Sequence, residues 1–130
     1  MRFHFLNSVK REAGGTIDAS GGTITTATID GIDYKIHTFD VVGSDTFVVN
    51  SITGTVDLEY LLVAGGAGGG INSGGGGGAG GLLQGFLEKS DSNNIPVEVG
   101  AGGSGALGIT FLGNSVFFDG NNGVDSSFGL

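Results

Sequence analysis

The chain has 130 residues, of which 29 are glycine and none is cysteine, and its formal net charge is −8 at pH 7. This length suits one domain, the negative charge argues against nucleic-acid binding, and the lack of cysteine excludes disulfides and thiolate metal sites. No apolar run reaches the ~18 residues of a membrane span, and the N-terminal part lacks the apolar segment of a signal peptide. We therefore expect neither membrane insertion nor export by the ordinary secretory route.

The N-terminal segment, residues 1–15, differs in charge from the rest of the chain. It holds three of the five basic residues, and such asymmetry indicates docking onto an acidic partner surface. Its phenylalanines alternate with polar residues, which favours a short strand added to a neighbouring sheet over a free tail. We predict an attachment arm, with a solvated arm as the alternative. The candidate contacts are Arg2, Phe3, Phe5, Lys10 and Arg11.

Residues 16–63 show a β pattern throughout. The segment Thr23–Ile29 is rich in β-branched residues, and Asp30-Gly31 supplies the dipeptide preferred in a two-residue hairpin turn. Gly43-Ser44-Asp45 is predicted to be a second turn. In residues 56–63 apolar side chains first alternate with acidic ones and then run without interruption, so this strand becomes buried on both faces. These residues are predicted to form a β-strand subdomain.

The next segment, Gly65–Gly81, contains 12 glycines in 17 residues and no charge. A glycine in ordered structure costs roughly 0.5–1 kcal/mol relative to alanine, so the segment is either a flexible linker or packed where a Cβ has no room. Linkers are usually rich in serine, whereas the flanks here are apolar. The packed alternative uses extended polyproline-II chains with three residues per turn, which must pair with one another once buried. Three glycine runs are available: residues 64–70, 74–81 and 100–106.

Residues 64–130 otherwise read as short strands and turns. Leu82–Leu87 and Val97–Val99 are predicted strands, Ser90–Asn94 is a predicted turn, and Asp119–Gly123 is a predicted polar loop. No segment shows helical periodicity. The predicted fold is therefore all-β, a small β-sandwich that continues into a stacked polyglycine-II layer without significant helix. We expect residues 64–130 to form one domain with residues 16–63.

The chain contains a series of motifs in fixed order: Tyr-x-Ile-His-Thr-Phe (34–39), the strand-to-glycine junction (59–70), Gly-Gly-Gly-Gly-Gly-Ala-Gly-Gly-Leu-Leu (74–83), Pro-Val-Glu-Val-Gly-Ala-Gly-Gly (96–103) and Ser-Ser-Phe-Gly (126–129). This series, over roughly residues 30–129, resembles the glycine-rich domain of bacteriophage tail fibres and tail-tip adhesins. The resemblance implies glycine runs stacked as a polyglycine-II sandwich, joined by variable loops that meet the host receptor. It also implies a virion protein, assembled in the host cytoplasm and often mounted on a trimeric fibre.

Two stretches are candidate receptor contacts on this basis. The rule that loops between glycine runs meet the receptor points to Ile71, Asn72 and Ser73, for which ordinary turn chemistry is the alternative. The turn before the third run is the second candidate, although the sequence does not place it at the same end of the layer. Its residues are Asp91, Ser92, Asn93 and Asn94.

No residue pattern supports catalysis, a cofactor or a metal. His37 and His4 have no partner at ligand spacing, and the glycine run 76–81 matches the dinucleotide fingerprint without a following helix. Asp119, Asn121 and Asp125 have the alternating spacing of a calcium loop but lack its bidentate glutamate, so a plain turn is favoured. We expect no enzyme activity.

Three classes of function remain after this reading. The first is a phage virion protein, an adhesin or fibre component that binds a host surface protein or glycan through loops at one end. The second is a capsid decoration or tail accessory protein that forms a rigid spike, and a nucleotide-binding enzyme is a distant third. We also expect a homo-oligomer, with a trimer favoured, because glycine chains and strands at an open edge invite pairing, and a second virion protein held by the N-terminus.

Overall fold

The computed structural model describes residues 4–8, 14–72, 74–111 and 114–129. Within these ranges the chain forms β-strands and no helix, hence no helix that could cross a membrane. The strands in chain order are β1 (His4–Ser8), β2 (Thr16–Ser20), β3 (Thr23–Ile29), β4 (Ile32–Thr38), β5 (Gly43–Thr53), β6 (Val56–Val63), β7 (Leu82–Lys89), β8 (Ile95–Val99), β9 (Leu107–Phe111), β10 (Asn114–Phe118) and β11 (Ser127–Phe128).

Most of these strands form two antiparallel sheets with a common core. The larger sheet has the order β3-β4-β1-β6-β7 and the smaller one β11-β8-β5-β2, while β9 and β10 form a separate hairpin. Strands β7, β8 and β11 come from residues 82–128 and pair with strands from earlier in the chain. The predicted all-β sandwich is confirmed, and the boundary drawn at residue 64 does not separate two sheets.

The first strand is an interior strand of the chain's own sheet. Its residue Phe5 pairs with His37 of β4 on one side and with Tyr60 of β6 on the other. The predicted short strand is therefore confirmed, and because both of its edges are paired within the chain, it belongs to the chain's own sheet and not to a partner's. Alternation of apolar and polar residues indicates a strand but not its neighbours.

Turn chemistry predicted one hairpin correctly and misplaced another turn. Asp30 and Gly31 both have positive φ, 51° and 77°, and join β3 to β4 as expected for a two-residue hairpin. Gly43 instead begins β5, with a φ of 116°, and Asp45 lies within the strand; the two residues pair with Val99 and Val97 of β8. Here the ladder to β8 outweighs the local turn preference of glycine and aspartate.

The core lies between the two sheets. Its most buried side chains come from β5, β6 and β8 and from the end of β4, with Phe47 and Val97 each only 1 % exposed. Partly buried side chains such as Tyr60 and Phe128 pack around it. The buried set is Ala19, Phe39, Phe47, Val49, Val56, Leu58, Leu62, Ile95, Val97 and Val99.

His37 is the one imidazole whose surroundings the structure describes, and it is fully buried in this core. Its Nδ1 lies 2.9 Å from the carbonyl oxygen of Gly21, which can only accept, so Nδ1 carries the hydrogen. Its ring meets Phe47 edge-on at a centroid distance of 4.9 Å. The Nε2 atom has no hydrogen-bond partner among the described residues. A neutral ring suits this apolar site, and burial lowers the pKa of His37 below its ordinary value of 6.5.

Stability should therefore fall on mild acidification. Because the folded-state pKa lies below the unfolded value, the unfolded chain binds the proton more readily, and the free energy of unfolding decreases as the pH drops below about 6.5. Urea unfolding between pH 8 and pH 5 measures this slope. The variant His37→Leu removes the titrating group and should flatten the curve in that window. An unchanged curve in the variant would show that His37 does not cause the dependence.

Candidate functional site

The glycine layer continues directly from β6 and β7 at the edge of the larger sheet. β6 and β7 pair from Val56 opposite Lys89 to Val63 opposite Leu82. The first run (residues 64–70) continues β6, and the second run (residues 74–81) leads back into β7. The two runs therefore extend one antiparallel ladder beyond the sandwich, and the turn between them lies at its far end.

Backbone hydrogen bonds of the first run repeat every third residue, in three directions. The N–H to carbonyl pairs toward the second run are Ala64–Gly81 (2.8 Å), Ala67–Gly78 (2.9 Å) and Gly70–Gly75 (2.9 Å). The first run also donates to residues 119–125, through Gly65–Val124 (2.9 Å) and Gly68–Asn121 (2.8 Å). It accepts from the third run (residues 100–106), through Gly103–Gly66 and Ala106–Gly69 (both 2.8 Å). A repeat of three is the polyproline-II period, so the first run is the centre of a polyglycine-II layer.

Glycine is required at two positions, three residues apart, in each of four chains. A Cβ at Gly65 or Gly68 would overlap a carbonyl of the third run, and one at Gly120 or Gly123 would overlap the first run. The same holds for Gly77 and Gly80 against the first run, and for Gly100 and Gly103 against residues 121–125. Close approach of backbones, rather than turn conformation, therefore explains these eight glycines.

Residues 119–125 form a fourth chain of the layer, and the polar loop predicted there is wrong. Asn121 donates to Ser104 (2.9 Å) and accepts from Gly68 (2.8 Å), so the fourth chain bridges the third and first runs. Its extended course does not wrap around an ion as a calcium loop does. The third run is thus not the last chain of the layer. The signal in the sequence was the spacing of Gly120 and Gly123.

The hydroxyl of Ser126 joins the layer to the sandwich. It accepts from the N–H of Gly100 (2.9 Å) and donates to the carbonyl of Val63 (3.0 Å), the residues at which the third run begins and β6 ends. This gives the first serine of the Ser-Ser-Phe-Gly motif a structural role, because it satisfies backbone groups where the hydrogen-bond period changes from two to three.

The turn between the first two runs contains two of the predicted receptor contacts. Gly74 donates to the carbonyl of Ile71 (2.9 Å), and Asn72 has a φ of 49°, a conformation that asparagine tolerates. Asn72 is exposed and Ile71 half-buried. Turn chemistry therefore accounts for the asparagine, and contact with a receptor stays a prediction. Ser73 lies outside the described residues.

The β9–β10 hairpin lies at the same end as this turn, which the sequence did not predict. The third run is parallel to the first and ends at Ala106 beside Gly69, so the hairpin that follows projects beyond the layer. A Cβ at Gly108 would lie 2.7 Å from Cδ1 of Ile71 and 3.1 Å from Cδ1 of Phe117. Glycine at 108 thus lets both side chains pack onto the hairpin.

Together these elements form what we call the tip: Ile71, Asn72 and the β9–β10 hairpin. Leu107, Phe117 and Phe118 of the hairpin are 59 %, 57 % and 53 % exposed. Phe117 and Phe118 are adjacent in a strand and so point to opposite faces. The sequence places no charged residue between Glu98 and Asp119 or between Glu59 and Glu88. The tip is therefore an uncharged surface with large exposed apolar side chains, at the end of a protein with a net charge of −8.

The second predicted group, Asp91 to Asn94, lies at the opposite end of the molecule. It follows β7, whose last residue Lys89 pairs with Val56, the first residue of β6. Seven steps of strand and seven of polyglycine separate this position from the turn at Ile71, roughly 45 Å. The structure does not bring the two predicted groups together, so a single receptor contact through both is not supported.

Internal hydrogen bonds hold the Asp91 loop. The Asp91 carboxylate accepts from the Asn93 N–H (2.9 Å) and pairs with the ammonium of buried Lys89, while the Asn94 side chain accepts from Val49 of β5 (3.0 Å). The hydrogen bond from Lys89, followed by that from Asn93, lowers the pKa of Asp91 below its ordinary range. Asp91 and Asn94 thus have structural roles, whereas Ser92 and Asn93 expose their side chains.

Most of the predicted attachment residues cannot be placed. Arg2, Phe3, Lys10 and Arg11 lie outside the described residues, and Phe5 belongs to the interior strand β1. Docking through the basic residues stays a prediction. Among the described residues, no group of three or more acidic or histidine side chains is arranged to hold a metal ion.

Fold and layer together define a class: an all-β protein in which a sandwich continues into hydrogen-bonded polyglycine chains. The sequence profile of the glycine-rich domain family matches residues 41–130, and the chain belongs to this family. No curated protein matches the chain. No solved structure matches it either.

Proposed function

We propose that this protein is a bacteriophage virion protein of the tail fibre or adhesin type, which binds the host cell surface through its tip. The observation that carries the proposal is the exposure of Leu107, Phe117 and Phe118 at the far end of the glycine layer. A two-stranded hairpin alone is marginally stable in water, and exposed aromatic side chains are typical anchors of protein interfaces.

The architecture supports this function in a second way. The layer holds the tip away from the sandwich on four mutually hydrogen-bonded chains, so the position of the tip is defined by backbone packing. Because the tip carries no charge, it can approach a surface component without placing the acidic remainder of the chain in contact with it. An apolar patch on a host surface protein, or the apolar face of a glycan, fits these side chains.

Binding of the labelled protein to a panel of bacterial strains tests the proposal. Phe117→Lys places a charge in the tip and should weaken binding to a recognised strain by tenfold or more, as expected when a buried aromatic anchor is lost. The matched control is Val41→Lys, since Val41 is apolar and 78 % exposed but lies in the loop before β5. The control should bind as the unmodified protein does.

Two results would contradict the proposal. One is absence of binding to every strain at any protein concentration, which would favour the alternative of a capsid decoration or tail accessory protein that serves as a rigid spike. The other is equal binding by the Phe117→Lys and Val41→Lys variants, which would remove the tip from the interface. Locating the protein in the purified particle by electron microscopy separates a tail position from a capsid position.

A further inference from the structure

The larger sheet and the glycine layer share one open edge. In the sheet order β7 is the outermost strand, and the second run continues that edge to the tip. Leu82 and Phe86 on β7 are 65 % and 67 % exposed. Along the second run, no N–H group of residues 75–81 donates to a backbone carbonyl among the described residues. A long unpaired edge with exposed apolar side chains is a template for pairing with another chain.

At four positions of the second run nothing within the chain requires glycine rather than another residue. A Cβ at Gly75, Gly76, Gly78 or Gly81 would meet nothing within 4 Å, and none of these residues has a positive φ. Gly77 and Gly80, in contrast, must be glycine because they face the first run. Exposed glycine without a conformational or packing reason lowers stability relative to alanine, because glycine loses more conformational freedom on folding. The four open positions are explained if another backbone packs against this side of the run.

We propose that two copies of this chain pair through the edge formed by residues 74–89, with the second run of one copy against the second run of the other. The proposal goes beyond host binding and does not depend on it. A chain with a hydrogen-bond period of three pairs best with another of the same period, and the second run supplies such a chain in each copy. Residues 74–87 of this edge carry no charge, so pairing does not bring the acidic groups of two copies into contact.

The shape of the edge favours a two-fold dimer over the trimer expected from sequence. Pairing of like edges is isologous, so a two-fold axis near the middle of the second run occupies both open edges at once. A three-fold arrangement needs two different complementary surfaces on each copy. The other two outer chains are the third run, which carries the exposed side chain of Ser104, and residues 119–125, which carry those of Asn121, Asn122 and Val124. Neither offers a matching bare backbone.

Sedimentation velocity of the full chain at increasing concentration tests the proposal. We expect a dimer, and Gly78→Val should weaken it by roughly tenfold to a hundredfold, because the added side chain is tolerated within one copy but overlaps the second. Gly76→Lys should weaken it comparably, because it places like charges across the edge close to the two-fold axis while its Cβ meets nothing within one copy. The control is Val41→Lys, which introduces the same charge at an exposed apolar residue in the loop before β5 and should leave the dimer intact.

Several outcomes would overturn the pairing. They are a monomer at millimolar concentration, a trimer, or a dimer that neither edge variant weakens. Circular dichroism of Gly78→Val must show the unmodified spectrum, and if that variant is misfolded, Gly76→Lys decides. Loss of the dimer with cell binding retained would leave host recognition standing, whereas an intact dimer that binds no cell would remove only host recognition.

Discussion

Gly68→Ala should destabilise the protein by about 3–5 kcal/mol, a large part of the stability of a typical domain. The new Cβ would overlap the carbonyl oxygen of Ser104 and lie 2.7 Å from the Gly105 nitrogen. Neither neighbour can give way as a flexible side chain would, because both are backbone atoms of the third run. The third run must move, and its hydrogen bonds to the first run and to Asn121 are lost with it.

The matched control for this change lies in the same layer. At Gly105 the nearest atom to an added Cβ is the Gly69 oxygen, at 3.8 Å, which is ordinary contact. Gly105→Ala should therefore leave the free energy of unfolding within about 1 kcal/mol, on the stabilising side, because alanine restricts the unfolded chain. Urea denaturation of both variants measures the difference. Equal stability of the two variants would mean that the layer is not packed as described.

Phe47→Ala should cost about 3–5 kcal/mol, as expected for removal of a buried aromatic ring. Phe47 is 1 % exposed and lies at the centre of the core, with the His37 ring at 4.9 Å and the Phe128 ring at 6.2 Å. Its loss opens a cavity between the sheets and removes one of the two ring contacts of Phe128 in β11.

Phe117→Ala is the control, since this phenylalanine is 57 % exposed at the tip. Its truncation should change the free energy of unfolding by no more than about 0.5 kcal/mol. Thermal or urea unfolding of both variants provides the comparison. If Phe117→Ala were the more destabilising of the two, the tip would be part of the core and its availability for binding would be in doubt.

The sequence predicted the local elements well where side-chain pattern and turn chemistry agree. Residues 56–63 alternate and then become apolar, and they form β6 at those bounds. Asp30-Gly31 needs positive φ at both positions, which few dipeptides tolerate, and this fixed the β3–β4 hairpin. The turn predicted at Gly43 to Asp45 was wrong because glycine and aspartate also occur in strands when a neighbouring strand can pair with them, as β8 does here.

The pairing of strands distant in the sequence could not be predicted from the residue pattern of any one segment. Nothing in Phe5 and its neighbours shows that β1 inserts between β4 and β6, because alternation is the same in an edge and an interior strand. The fourth chain was missed for a different reason. The sequence was searched for runs of glycine, whereas the layer requires only two glycines three residues apart, and Gly120 and Gly123 satisfy this with asparagines between them.

The candidate site was predicted in part. Ile71 and Asn72 were selected as a loop between glycine runs, and the structure places them at the tip. Phe117 and Phe118 were not selected, because their exposure depends on the hairpin having no sheet to cover it. The sequence also did not show that the Asp91 loop lies at the opposite end from the tip. Which end of an antiparallel ladder a turn occupies depends on strand pairing and not on composition.

Cross-linking from the two ends of the molecule tests host binding through the tip most directly. A photoreactive benzoyl-phenylalanine would replace Phe117 at the tip in one protein and Ser92 in the opposite loop in another, since both side chains are exposed. After illumination on cells that bind the protein, we predict a covalent adduct with a surface component from position 117 and none from position 92. An adduct from position 92 alone would contradict binding through the tip.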